Sequence, residues 1–94
     1  MSSQKQIIDL CNTAFSCVRE LLSDEQQREV DDYINQHNEW GLGIEFLIDW
    51  LTEDETPITP SQFDAIHSAM SAMGLGDSRR IQGLKTYCLR GAET

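Results

Sequence analysis

Positive charge is what this sequence has least of. Lys and Arg together number 7 against 16 Asp and Glu, for a net charge of −9. A chain so short of cations repels phosphates and anionic headgroups, which argues against direct binding to nucleic acid or a lipid surface and favours basic partners. Cysteine is scarce too. Cys11, Cys17 and Cys88 are odd in number and form no C-x-x-C pair, which speaks against a disulfide framework and against zinc, so three reduced thiols are expected. Proline is confined to Pro57 and Pro60, aromatics are few and glycine is scattered, a composition unlike collagen or low-complexity chains. No stretch approaches the ~18 apolar residues of a membrane span. The opening MSSQKQIIDL has no apolar h-region, so a cytoplasmic protein is expected.

What is present is a helical period. With 94 residues the chain has room for one domain, 1–94, and one thin core. Ile7, Cys11, Ala14, Val18 and Leu21 recur at three- and four-residue steps, predicting a first helix over about 4–22. Ser23 and Gln26 form a capping-box pair that opens a second helix over about 24–37, with Val30, Tyr33, Ile34 and His37 as its stripe. The third, about 40–52, has the widest apolar arc: Trp40, Ile44, Leu47, Ile48 and Leu51, with Phe46 and Trp50 on one shoulder. It is expected at the centre. Thr59, Pro60 and Gln62 open a fourth helix over about 60–73 that stops at Gly74. Its Phe63, Ile66, Met70 and Met73 read as core, Ala65, Ala69 and Ala72 as a strip for close helix approach, and His67 as a core-edge residue. A last helix over about 78–90, capped by Asp77 or Ser78, is weakened by Gly83. The predicted architecture is all-α, a compact bundle of four to five short helices.

The acids are unevenly placed. Residues 20–64 hold 13 of them and a single base, Arg28. Glu45, Asp49 and Glu53 follow at four-residue steps and align as one ridge on the third helix, continued by Asp54 and Glu55. The ridge faces solvent or a partner, and reversing Asp49 and Glu53 to Lys is expected to leave the fold undisturbed. Solubility alone is the plain explanation of such charge. Catalysis is a poor reading, because general acid–base chemistry needs carboxylates or histidine in a cleft at shifted pKa. No nucleophile elbow, H-E-x-x-H or phosphate loop is present, and TEDETPITP lacks the spacing of a calcium loop, so neither a metal nor a cofactor is expected.

Two resemblances bear on function. Gly74-Leu75-Gly76-Asp77-Ser78 resembles the G-x-D-S-L signature of acyl carrier proteins, whose serine carries a phosphopantetheine arm. Here, however, Arg79 and Arg80 follow Ser78, and the serine is far from mid-chain. The longer stretch LLSDEQQREVDDYINQHNEWGLGIEFLIDWLTEDETPITPSQFDAIHSAMSAMGL resembles the small immunity proteins of bacterial polymorphic toxin systems, above all the MafI-type family and related contact-dependent growth inhibition immunity proteins. The likeness rests on Leu22 to Glu25, on the E-x-G-x-x-x-E-x-L block from Glu39 to Leu47, on PITPSQF after the acidic turn, and on Met73 to Leu75. It implies a protein that is no enzyme and that binds and blocks a cognate toxin C-terminal domain, often a nuclease. Nucleases hold phosphates on cationic surfaces. On that resemblance the expected partner-binding residues are Glu45, Asp49, Glu53, Asp54 and Glu55. Asp31, Asp32 and Glu39 would stand near the edge, and Trp50 would be an aromatic anchor if not fully buried. The alternatives are an acidic carrier modified on Ser78 and an acidic adaptor with an unrelated basic partner.

Overall fold

Where each helix begins is decided by single side chains. In a computed structural model that describes residues 3–89, helix α1 (Gln4–Val18), α2 (Asp24–Asn35) and α4 (Pro60–Ala72) each start at a complete capping box. The hydroxyls of Ser3, Ser23 and Thr59 accept the N–H of Gln6, Gln26 and Gln62, and each glutamine carbonyl accepts the N–H of its capping residue in return. Helix α5 (Arg79–Tyr87) starts at Ser78, whose hydroxyl accepts the Ile81 N–H. Helix α3 (Trp40–Glu53) has no side-chain cap, and packing holds it instead. It contacts all four other helices, and its Ile44, Leu47 and Ile48 are fully buried. The fold is thus an all-α bundle of five helices among the described residues, with α3 at its centre.

The most extensive helix pair is α1 against α4, where Ala69 of the small-residue strip is completely buried. Gln62 adds a hydrogen bond there, donating to the Cys17 carbonyl at 2.8 Å near the end of α1. Helices α1 and α2 are also joined through Asn12 and Asn35, whose side-chain amides exchange hydrogen bonds at 3.1 and 3.0 Å. Helix α2 lies against α3 at Gly43. A Cβ there would stand 3.2 Å from both Ile34 Cγ1 and Tyr33 Cβ, a tight contact that would require those side chains to shift by a few tenths of an ångström.

Helix bounds differ from the predicted ones by more than one residue in three places, the last being α5, which ends at Tyr87 where about 90 was expected, a position outside the described residues. Helix α1 stops at Val18, and a 3-10 turn over Arg19–Leu21 replaces its predicted last turn. Gln27 holds that turn by donating to the carbonyls of Arg19 and Leu22, and Leu22 is extended so that Ser23 can cap α2. Helix α2 ends at Asn35 rather than 37. Asn38 is left-handed at φ 55°, and Glu39 donates its N–H to the Tyr33 carbonyl at 2.7 Å, which turns the chain toward α3. His37 consequently leaves the apolar stripe and is exposed.

The last helix forms despite Gly83, which sits where α5 nears Thr52 of α3. The sequence held no strand signal, and one isolated parallel bridge joins Ile58 to Leu89. There the Ile58 N–H donates to the Cys88 carbonyl at 2.8 Å, and the Cys88 thiol donates to the Leu51 carbonyl at 3.2 Å.

Candidate binding face on helices α2 and α3

The acidic ridge of α3 is two structures, not one. Its first two members are engaged within the chain. Arg80, in the first turn of α5, donates Nε to Asp49 Oδ1 at 3.0 Å and Nη2 to Asp49 Oδ2 at 3.3 Å, while Nη1 reaches Glu45 Oε2 at 3.1 Å. This is the two-pronged guanidinium–carboxylate geometry, extended to a second acid one turn away. Hydrogen bonding to Asp49 raises the Arg80 pKa further, outweighing the opposing effect of partial burial. The expectation that the whole ridge faces solvent or a partner therefore needs correcting at Glu45 and Asp49. Asp49→Lys would set a cation against Arg80, so its effect on the fold is not that of a free surface charge.

The other half of the ridge has no such clamp. Glu53 closes α3, Asp54 is its C-cap and Glu55 follows with φ 49°. All three are exposed, and none takes part in an ion pair among the described residues, although Glu53 lines a hollow with Arg79 and Arg80, so Asp54 and Glu55 are the members that no cation attends there. Carboxylates at this end oppose the negative pole of the helix dipole, an unfavourable placement of about 0.3–1 kcal/mol per charge before screening. A left-handed glutamate adds roughly another 1 kcal/mol.

The remaining predicted site residues fall in three places. Asp31 accepts from Asn35 Nδ2 at 2.8 Å and lines a hollow with Asp24, Arg19 and Arg28, so cations of the chain already attend it. Asp32 lines a different hollow, of about 170 Å³, with Glu29, Tyr33 and His37. Glu39 caps α3 through its backbone only, accepting the Gly43 N–H. Trp50 is half-buried and stacked on Phe46, the ring centroids 5.8 Å apart, and Phe46 in turn meets Tyr33 at 5.3 Å. Trp50 thus retains the partial exposure that an anchor needs. The half-buried row Tyr33–Phe46–Trp50 runs across α2 and α3 on the outside of the core.

No family model, curated protein or solved structure matches this chain.

Among the described residues no group of three or more His, Cys, Asp or Glu is placed to hold a metal ion. Burial pushes the Cys11 thiol up to about 12, far from a nucleophile's range. Cys88 is buried as well, and Cys17 is exposed on α1. His67 is half-buried and stacked on Phe63 at 5.7 Å, which keeps it at the edge of the core. Ser78 uses its hydroxyl to cap α5. Among the described residues no helix is long and apolar enough to cross a membrane.

Two features of these helix faces escaped the sequence reading. The Arg80 clamp had a signal, since an Arg-Arg pair opening one helix faces acids spaced by four on another, but it spans 31 residues of chain to Asp49. The hollow beside Tyr33 had none, because its shape depends on where α2 ends.

Proposed function

We propose that the protein neutralises a cognate toxin domain in the manner of a bacterial immunity protein, binding the cationic surface of that domain and carrying out no chemistry. The observation that carries this reading is the placement of Glu53, Asp54 and Glu55: exposed, without an ion pair among the described residues, and at the helix end where carboxylates disfavour the fold. Charge that served solubility alone would gain nothing from that position. A partner with Lys and Arg opposite would relieve the repulsion, speed encounter and set register. The half-buried Trp50 one turn before Asp54 fits the same reading, because interfaces combine a few aromatic anchors with a polar rim. Glu45 and Asp49 contribute less, since Arg80 already neutralises part of their charge.

The test begins with a neighbouring gene for a large secreted protein with a variable C-terminal domain. That domain should bind the purified chain, with an affinity that weakens as salt rises, and the complex should lack the domain's toxic activity. Failure of a catalytically inactivated form of the domain to bind at low salt would sink the proposal.

A further inference from the structure

We propose that the hollow formed by Glu29, Asp32, Tyr33 and His37, together with the ring row that continues it through Phe46 to Trp50, is a receptor for an arginine side chain presented by a protein partner. The inference rests on the preceding reading for the partner's identity alone; the chemistry of the hollow stands apart from it.

The rings come first. Tyr33, Phe46 and Trp50 form a continuous half-buried row, and Phe46 and Trp50 are nearly parallel at 18°. His37 meets Tyr33 edge-on at 6.3 Å and closes the other side of the hollow. Leu42, one turn before Phe46 on α3, is exposed and extends the apolar border. The rings of this row are only half-buried, and aromatic surface left on a helix exterior attracts a planar cation. The two carboxylates supply the second half of the recognition. Glu29 and Asp32 line a space of about 170 Å³ that no Lys or Arg among the described residues lines, and Arg28, the one base of α2, lines another hollow.

Charge then selects among occupants. A second copy would bring its own net charge of −9 toward these carboxylates, and phosphates or anionic lipid would meet the same repulsion. A cationic side chain is drawn in. Arginine fits better than lysine, because its guanidinium lies flat on rings while its N–H fork engages carboxylates. The chain uses both devices internally: Arg19 stands over the Phe15 ring at 5.3 Å, and Arg80 grips Asp49 with two N–H groups.

The test uses the full chain and a capped peptide of three Gly-Arg repeats, followed by NMR at low salt. Versions with lysine or with citrulline, the neutral isostere of arginine, serve for comparison. Saturable shifts are expected for the Trp50 indole N–H and the Tyr33 and Phe46 ring protons, with the Trp40 indole as internal reference. The lysine peptide should bind at least threefold more weakly, and the citrulline peptide should leave the rings unmoved. Glu29→Gln with Asp32→Asn, a pair that keeps every ring, should weaken the arginine peptide at least threefold. Equal shifts with citrulline, shifts confined to Glu53, Asp54 and Glu55, or burial of the row in a homodimer seen by sedimentation would each overturn the proposal. Arginine-dependent shifts without any toxin binding would leave the receptor standing and remove the toxin. Toxin binding with unmoved rings would do the reverse.

Discussion

Along one face of α3, the same residue type serves two ends. Glu45 and Asp49 are drawn into the fold by Arg80 and help fix α5 on α3, whereas Glu53, Asp54 and Glu55, beyond the last of these by one turn, have no such partner among the described residues and disfavour the helix they terminate. Spacing in the sequence makes them one ridge. What separates them is where the Arg80 guanidinium stands, within hydrogen-bond reach of Glu45 and Asp49 only, and the difference shows that an acidic stripe divides into structural and available charge only once its neighbours are in place.

The comparison breaks most completely where both halves share a support. Leu47 is fully buried behind the ridge, so Leu47→Ala should lower stability by about 2–5 kcal/mol in urea unfolding. A loss below half a kcal/mol would mean that α3 is peripheral. Next in size is the available half. Glu53→Lys with Glu55→Lys should weaken toxin binding at least tenfold, about 1.4 kcal/mol, and abolish protection of toxin-producing cells. The melting temperature should hold or rise, because lysines suit a helix C-terminus. Equal affinity for the reversed protein at low salt would assign those acids to solvent alone.

The clamped half sharpens the contrast from the other side. Arg80→Ala should cost about 0.5–1 kcal/mol of stability, as exposed ion pairs of good geometry do, with a smaller cost at high salt. Uncovering Glu45 and Asp49 should leave toxin binding intact or faster. A tenfold loss of affinity would instead put Arg80 in the interface and merge the two halves. Smallest is Glu55→Gly, which removes the left-handed strain and should raise stability by somewhat under 1 kcal/mol in the same unfolding assay. Any decrease would mean that Glu55 makes a compensating contact.

Local chemistry made most of the fold legible. Capping pairs and the wide arc of α3 write their positions into a few adjacent residues; those read at Ser23 and Thr59 form as expected, and a third box, not drawn from the sequence, opens α1 at Ser3. The reading failed where a hydrogen bond reaches beyond one helical turn: the Gln27 side chain shortens α1 by holding the turn at Arg19, and the Glu39 backbone N–H ends α2 by donating to the Tyr33 carbonyl. For the candidate site the acids themselves were visible, but their allocation was not. Asp31 and Asp32 are adjacent in sequence and line different hollows, since neighbours on a helix point about 100° apart.

Gly43 sets the distance between α2 and α3 by lacking a single carbon, and that distance also sets how Tyr33 meets Phe46. In evolutionary terms it is a one-step adjustment. An alanine at this position would gain helix propensity, yet would have to push Ile34 and Tyr33 aside by a few tenths of an ångström. A lineage could thereby retune the ring row for a changed partner without altering any residue that touches it. Position 43 thus governs the geometry of the ring row from beneath, where an alanine scan of exposed residues would pass over it.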